Sequence, residues 1–427
     1  MTVRFVLQAA TSLRGSQACF DLVVTSQGGL PFESASHTTI QNWILRIGLY
    51  ELQRGKEFAN DWIWIVDHTI QIGTIKVLLI LGIRRSKWLQ LDRPLVHTDL
   101  EVLELLPVEV SNGQVVCEQY ATVAQRNGVP QAILSDQGSD LQSGLKLLQN
   151  KHPGVVGLSD VTHRVALLLK KHLEADDAWT VFKTRCGTTK AAIQQTPLAH
   201  LAPPKFKAKA RYMNVAEQIR WGQSVCSLLQ RHRADALSAS QQAELPADLL
   251  DEKLGWVKSL ADSLAGWSEL IDLCQQTCSI VRRWGYAPGV VEKVDQALPG
   301  ALTARGRQLR SQLIAFVRGE CAKLPAGCSA PGSSEVIESL IGKGKRLEGQ
   351  QSQSGFTHYV LALAACVATP TALLLESVAK TVGIKHLKQW LTKHLPQTLQ
   401  AKRLRDLGHR NKEQKQDNRL AAARTNF

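Results

Sequence analysis

The stretch DWIWIVDHTIQIGTIKVLLILGIR, residues 61–84, decides the fold class of this chain. It is rich in β-branched and aromatic residues, its apolar positions largely alternate, and Gly73 interrupts it near the middle. Such a pattern predicts two strands joined by a tight turn. Asp67 stands where the first of these strands is expected to end, with an apolar strand behind it.

Further strand and helix patterns follow this hairpin. HTDLEVLELLPVE (97–109) predicts a third strand, and Ser111 is the expected cap of a helix that runs to about Arg126. QAILSDQGSDL (131–141) and GVVGLSD (154–160) predict a fourth and a fifth strand, each followed by a helix. Three antiparallel strands, then helix, strand, helix and strand, is the order typical of an α/β, ribonuclease H-like mixed sheet.

The remaining sequence is expected to be helical. Residues between the fifth strand and the Pro/Gly/Ser-rich linker LPAGCSAPGSS (324–334) carry long helical patterns and no strand signals. The predicted regions are a helix-turn-helix at 1–60, the first part of the core at 61–175, an all-helical insertion at 176–330, the C-terminal core helices at 331–400, and a basic tail at 401–427.

The N-terminal region contains a candidate DNA-reading helix at 36–52, with Ser36 as its expected N-cap. A helical projection puts four apolar residues on one face, namely Ile40, Trp43, Ile44 and Ile47. Asn42 and Arg46 then point outward, as the recognition helix of a helix-turn-helix requires. An ordinary amphipathic helix is the alternative.

The bulk composition favours a polyanionic partner and argues against a membrane protein. The net charge is +14. No run of eighteen apolar residues and no convincing signal peptide is present, so we expect a cytosolic protein. The nine cysteines include no Cys-x-x-Cys pair, which favours small buried side chains over a zinc site.

Three carboxylates are candidate metal ligands. Asp67 and Asp136 end strands that would be neighbours in this topology, and Glu338 lies on the helix that begins SEVIESLIGKGK (334–345). A lone aspartate at a strand end is usually a turn former, but three converging carboxylates suit two Mg²⁺ or Mn²⁺ ions. Without cations such a group would repel itself. Glu335 competes with Glu338, and Asp140 competes with Asp136.

The order Asp67, Asp136, Glu338 on an interrupted ribonuclease H-like fold resembles the DDE transposases of bacterial insertion sequences. The segment SDQGSDL around Asp136 is similar to their Ser-Asp-x-Gly segment, and Glu338 with Lys345 reproduces their spacing of glutamate, six residues and lysine. The resemblance implies that Asp67, Asp136 and Glu338 are the catalytic metal ligands. It implies that Lys345 contacts a DNA phosphate.

A second motif resembles Mutator-like and hAT-like transposases, which also carry a helical insertion before the glutamate. Asp160 and His163 in SDVTHRVALLLKK (159–171) have the Asp-x-x-His spacing of those families. The likeness implies that they brace the active site or touch the cut DNA; an N-capping aspartate and a surface histidine are the alternative. Trp221, near the basic segment 205–214, could stack on an unpaired base or pack in the core.

The function that the resemblance implies is metal-dependent cleavage of DNA at transposon ends and transfer of the 3′-hydroxyl into target DNA. The expected partners are double-stranded DNA, both terminal inverted repeats and target, and a second copy of the chain in a homodimer or larger synaptic assembly. The expected location is the bacterial cytoplasm, at the nucleoid. A ribonuclease H-like nuclease (resolvase or hybrid nuclease) and a noncatalytic DNA-binding protein derived from a transposase are the alternatives.

Overall fold

The computed structural model divides the chain into two compact units. One consists of Met1–Gly157 and Ser334–Phe427, and the other of Leu158–Ser333. The structure describes residues 1–26, 28, 34–72, 75–206, 215–238, 240, 244–300, 302–349, 360–395 and 403–407.

A five-stranded mixed sheet forms the centre of the first unit. Its strands are β1 (Trp62–Ile72), β2 (Ile75–Arg84), β3 (Glu101–Val108), β4 (Ala132–Ser135) and β5 (Val156–Ser159). The spatial order is β3-β2-β1-β4-β5, with β2 antiparallel to both β1 and β3, and β4 parallel to β1. This confirms the predicted ribonuclease H-like mixed sheet. The predicted turn at Gly73 lies outside the described residues.

Helices flank the strands of this unit. The first six are α1 (Thr2–Leu7), α2 (Leu13–Ser26), α3 (His37–Gln53), α4 (Arg85–Trp88), α5 (Gly113–Asn127) and α6 (Ser139–Lys151). Trp62, Trp64 and Val66 of β1 are buried in one cluster with apolar residues of α5 and α6. Because side chains alternate along a strand, Ile63, Ile65 and Asp67 face the opposite side of the sheet.

Two boundaries differ from the sequence prediction. The third strand begins at Glu101 because His97–Asp99 form a 3₁₀ turn, in which Asp99 pairs with Arg93. The cap of α5 is Asn112, whose side chain accepts the Val115 N–H, and not Ser111. Ser111 is therefore available for other contacts, which lie at the candidate site.

The second unit is built from helices. They are α7 (Val161–Glu174), α8 (Asp177–Ile193), α9 (Val215–Arg233), α10 (Ala247–Leu254), α11 (Ala261–Trp284), α12 (Val290–Ala297) and α13 (Ala304–Lys323). Short 3₁₀ turns lie at Ala199–Leu201 and Gly255–Leu260. The unit begins at Leu158, before the predicted boundary at 176, because α7 packs against α11 and α13.

An aromatic cluster forms much of the interior of the second unit. Trp179 and Phe182 are fully buried, and their ring centroids lie 5.1 Å and 5.4 Å from that of Trp267. Apart from the end of β5 and one β-bridge between Tyr286 and Ala330, the residues described here are helical or connecting. The predicted all-helical insertion is thus what the structure contains.

Four helices complete the first unit after the insertion. They are α14 (Glu335–Gly349), α15 (Val360–Val367), α16 (Ala372–Thr381) and α17 (Ile384–His394). Of the predicted basic tail, only 403–407 is described, and it is helical. Among the helices described, none has the length and apolar character needed to cross a membrane.

The N-terminal region differs from the expected separate helix-turn-helix. Helix α3 packs against α15, α16, α17 and β3 as a core helix of the first unit. Ile40, Ile44 and Ile47 are buried as predicted, but Trp43 is 37% exposed. Hydrophobic periodicity located the helix correctly, but the C-terminal end of α16 lies against Arg46, one of the residues predicted to contact DNA.

We predict that Gly48→Ala destabilises the first unit. A Cβ at Gly48 would lie 1.9 Å from the carbonyl oxygen of Leu361, a backbone atom of α15 that cannot rotate away. Overpacking of this kind costs about 1–3 kcal/mol, more than the helix propensity that alanine gains. Chemical denaturation would measure the loss. Gly55→Ala is the matched control, because no atom lies within 4 Å of its Cβ position, and an equal effect there would contradict the close-packing argument.

Candidate active site

Asp67 and Asp136 are neighbours because of the strand register. Val66 of β1 is paired with Ser135 of the parallel strand β4, so the next residue on each strand is an aspartate. Paired residues on neighbouring strands share a face, and this face is opposite to the one that packs on α5 and α6. Both aspartates are half-buried. The register thus brings the backbone positions of Asp67 and Asp136 to neighbouring strands, and the pairing of the two carboxylates as metal ligands stays a prediction.

A tight turn follows Asp136 and fixes its carboxylate. The Asp136 Oδ1 accepts the backbone N–H of Gly138 at 3.0 Å, and Gln142 donates to the Asp136 carbonyl. A Cβ at Gly138 would lie 3.0 Å from the Asp136 Oδ1 and 3.2 Å from the Asp140 Oδ1. Glycine is therefore required where two carboxylates approach the backbone this closely.

Asp140 belongs to a separate hydrogen-bonded cluster beside Asp136. The Ser111 hydroxyl donates to the Asp140 Oδ2 at 2.6 Å and lies 2.9 Å from the His68 Nε2. Lys76 Nζ is 3.9 Å from the same carboxylate oxygen. Asp140 is thus engaged by a hydroxyl and a lysine, and it links the start of α6 to β1 through Ser111 and His68. The choice between Asp136 and Asp140 stays open.

The charges of this cluster are set by burial and by its neighbours. Burial, together with Lys76, lowers the pKa of His68 despite the opposing effect of Asp140. Since the Ser111 proton goes to Asp140, a neutral His68 carries its proton on Nε2 and donates it to the Ser111 oxygen. Burial alone would raise the pKa of Asp140, but the hydrogen bonds from Ser111 and from the Leu141 N–H, together with the charge of Lys76, lower it.

Helix α14 carries the two glutamates and the lysine. It packs against β1 and against the His97–Asp99 turn, where Lys343 Nζ lies 3.1 Å from the His97 Nε2. Glu338 and Lys345 are both exposed, and seven residues of helix place them on the same side. Glu335 opens the helix and is half-buried. The choice between Glu335 and Glu338 stays open.

The structure does not assemble the predicted three-carboxylate cage. Across the residues that it describes, no three histidine, cysteine, aspartate or glutamate side chains are grouped so that they could hold a metal ion. Asp67 and Asp136 come together as a pair, and Glu338 does not join them in a ready-made group. The role of Glu338 as the third ligand stays a prediction.

The Asp-x-x-His motif lies in the second unit, at the start of α7. Asp160 is the N-cap of α7, and its Oδ2 accepts the His163 N–H at 2.9 Å. The same oxygen lies 2.7 Å from the His163 Nδ1, so Asp160 also orients the imidazole. Asp160 is 1% exposed, and His163 is largely buried. The capping alternative is correct for Asp160, whereas His163 is not a surface histidine.

Two predicted DNA contacts have other partners. The Arg46 guanidinium donates to the carbonyl groups of Val378, Ala379 and Val382 at the C-terminal end of α16, so it does not point into solvent. Trp221 packs against Phe182 and Trp256, and its indole N–H donates to the Leu201 carbonyl. Both side chains therefore have partners within the protein, and their roles as DNA contacts stay predictions. Asn42 is half-buried, and its role stays a prediction.

The contribution of Ser111 could not be predicted from local sequence patterns. It precedes Asn112 and Gly113, and either Ser111 or Asn112 could have capped the helix. Local sequence cannot decide between two adjacent capping residues. The contacts of Ser111 with His68 and Asp140 are 43 and 29 residues away in sequence, beyond the reach of a local pattern.

We predict that Ser111→Ala destabilises the protein by about 1 kcal/mol at neutral pH, because Asp140 and His68 both lose a partner. The pKa of Asp140 is lower in the folded protein than in the unfolded chain, so its ionised form stabilises the fold at pH values above the unfolded-chain pKa of about 3.9. This stabilisation is lost as the pH falls through the pKa of the folded protein. The difference from wild type should therefore shrink in acid, as measured by urea denaturation at several pH values. Ser377→Ala, which removes a hydroxyl bonded only to a helix carbonyl, should show no such pH dependence.

Comparisons with known proteins include a distant structural likeness. No protein-family profile matches the chain, and no curated protein matches it. Among solved structures, the chain is similar to the Drosophila P element transposase strand transfer complex, with 10% identity over 88% of this chain and 92% of that chain. The TM-score is 0.40, so the likeness carries no argument about the site.

Proposed function

We propose that this chain is a DDE transposase that cuts DNA at transposon ends and joins the freed 3′-hydroxyl to target DNA. The observation that supports this most directly is the strand register: Asp136 follows Ser135, and Ser135 pairs with Val66, the residue before Asp67, where β1 and β4 run parallel in a ribonuclease H-like sheet. The helical insertion between β5 and the helix bearing Glu338 supports the same proposal.

The pair of aspartates fits a divalent cation. Mg²⁺ is commonly held by one or two protein carboxylates and completed by water and substrate phosphates, so a third protein ligand is not required for binding. Asp67 and Asp136 would hold the ion, and Glu338 would contribute from α14. When bound there, Mg²⁺ or Mn²⁺ would supply the Lewis acid needed in phosphoryl transfer.

Several groups of the chain have distinct proposed roles. The Gly138 N–H donates to Asp136 and the His68 N–H donates to Asp67, which fixes the orientation of each carboxylate. Lys345, exposed on the same side of α14 as Glu338, would bind a DNA phosphate. Asp160 would hold the His163 imidazole in one orientation toward the cut strand.

DNA is the proposed partner because of charge as well as chemistry. A net charge of +14 favours association with a polyanion. Two transposon ends must be joined in one reaction, so we propose that the active form is a homodimer or a larger synaptic assembly on DNA.

We predict that Asp67→Asn and Asp136→Asn each lower DNA cleavage by at least about a hundredfold, because a lost ligand removes several kcal/mol of charge stabilisation. Without divalent metal, both variants should be at least as stable as wild type, since neighbouring like charges on paired strands repel. The rise in melting temperature that Mn²⁺ causes in wild type should be absent. Thermal unfolding with and without Mn²⁺ measures this independently of activity.

The matched control is Asp262→Asn, an exposed aspartate at the start of α11. It should keep both cleavage and the Mn²⁺ response.

A strand-transfer assay separates the proposed function from its alternatives. A labelled duplex of the DNA that borders the gene, with a precut 3′-hydroxyl, would be mixed with supercoiled plasmid. Joined product supports a transposase, whereas cleavage without joining would favour a ribonuclease H-like nuclease. Full biological activity of Asp136→Asn would favour a noncatalytic DNA-binding protein.

We predict that Lys345→Ala weakens DNA binding without changing stability. The loss of one phosphate contact should lower the slope of log K against log salt concentration by about one. Lys388→Ala, an exposed lysine on α17, is the control and should leave the slope unchanged. Binding isotherms on duplex DNA at four salt concentrations would measure the slope, and an equal slope for Lys345→Ala and wild type would contradict the proposed contact.

A further inference from the structure

Two buried side chains of the insertion hold the last residue of β5. The Glu320 Oε2 accepts the backbone N–H of Ser159 at 3.0 Å, and the Tyr286 hydroxyl donates to the Ser159 carbonyl at 2.7 Å. Glu320 is 5% exposed and Tyr286 is 0% exposed. Both backbone polar groups of Ser159 therefore bond to side chains that follow it by more than a hundred residues.

The next residues are held by the end of the insertion. The Val161 N–H donates to the Gly332 carbonyl at 2.9 Å, and the Thr162 hydroxyl lies 3.4 Å from that of Ser333. Asp160 lies between Ser159 and Val161 and is the N-cap of α7, with an extended backbone conformation. Its carboxylate accepts the His163 N–H and contacts the His163 imidazole. The orientation of His163 thus depends on a backbone that the insertion fixes.

The chemistry of the two side chains suits this task. Glu320 is buried, and Lys323 Nζ lies 2.7 Å from its second oxygen. The Lys323 side chain is 43% exposed, and an ion pair with one partner in solvent contributes little stability, so the position of Glu320 is better explained by the geometry that it imposes on Ser159. Burial, with Glu320 and Asp160 nearby, raises the pKa of the Tyr286 hydroxyl well above its ordinary value, and it therefore stays a donor.

We propose that Glu320 and Tyr286 are positioning residues for the Asp160–His163 motif. By holding Ser159 from both sides, they set the direction in which Asp160 leaves β5 and orients the imidazole. The consequence for DNA cleavage rests on the proposed function. The positioning itself does not, because it concerns contacts within the second unit.

Amide hydrogen exchange of the full chain tests the positioning directly. In Glu320→Ala, the amides of residues 159–163 should exchange about tenfold faster or more, because the Ser159 N–H loses its buried acceptor. Glu320→Gln keeps an oxygen acceptor at the same place and should stay close to wild type. Tyr286→Phe removes only the hydroxyl and should give an intermediate increase confined to the same segment.

Cleavage kinetics supply the second measurement. Glu320→Ala should lower kcat about tenfold or more with KM changed less than about twofold, and Glu320→Gln should restore most of kcat. Glu292→Ala, an exposed glutamate of α12, is the matched control and should alter neither measurement.

Several outcomes would overturn the proposal. Unchanged exchange over 159–163 in both Glu320→Ala and Tyr286→Phe would do so, and so would an equal acceleration across the whole second unit, which indicates a general stabilising role. If Glu320→Ala does not fold, Tyr286→Phe and Glu320→Gln decide the question. If wild type cuts no DNA, the proposed function fails while hydrogen exchange still decides the positioning.

Discussion

The register of β1 against β4 is the constraint on which the candidate site depends. Val66 faces Ser135, and the two strands run parallel, so Asp67 and Asp136 follow at adjacent positions on one face. Neighbouring strands lie about 4.8 Å apart, a spacing at which two ionised carboxylates repel each other. A slip of one residue would send one aspartate to the opposite face, into the apolar layer on α5 and α6. Burial of the apolar face therefore specifies the register that places Asp67 and Asp136 on neighbouring strands.

The surroundings of this pair are unequal on its two sides. Toward α6, the backbone is fixed by the Gly138 turn and by the Ser111 bridge between His68 and Asp140. Toward α14, Glu338 and Lys345 are exposed. The aspartates are thus held by hydrogen bonds within the first unit, whereas the groups on α14 are placed to meet a ligand from solvent. This division fits a site completed by its polyanionic substrate.

The insertion can be long because its two ends are joined. The chain enters the second unit at Leu158 and leaves it at Ser333, and the Val161–Gly332 hydrogen bond ties entry to exit. An insertion whose ends lie together places little strain on the sheet that receives it. Its aromatic interior, around Trp179, supplies a core of its own. The hydrogen bonds at this junction also fix the backbone beside Asp160. The same contacts therefore close the insertion and hold a residue of the proposed chemistry.

Asp67 was expected at a strand end but lies within β1, which continues to Ile72. The sequence by itself determined the order of strands and helices, the helical character of the insertion, and the position of Asp136 directly after β4. Those features depend on local alternation, turn residues and chain order, which are written in neighbouring residues. Only the tertiary structure decided what Arg46, Ser111 and Trp221 contact, and that the three predicted carboxylates do not form a ready-made cage. Periodicity shows which face of a helix is apolar but not which distant segment covers its polar side chains. Arg46 finds its partner 336 residues away, at a helix end that no local pattern connects to it.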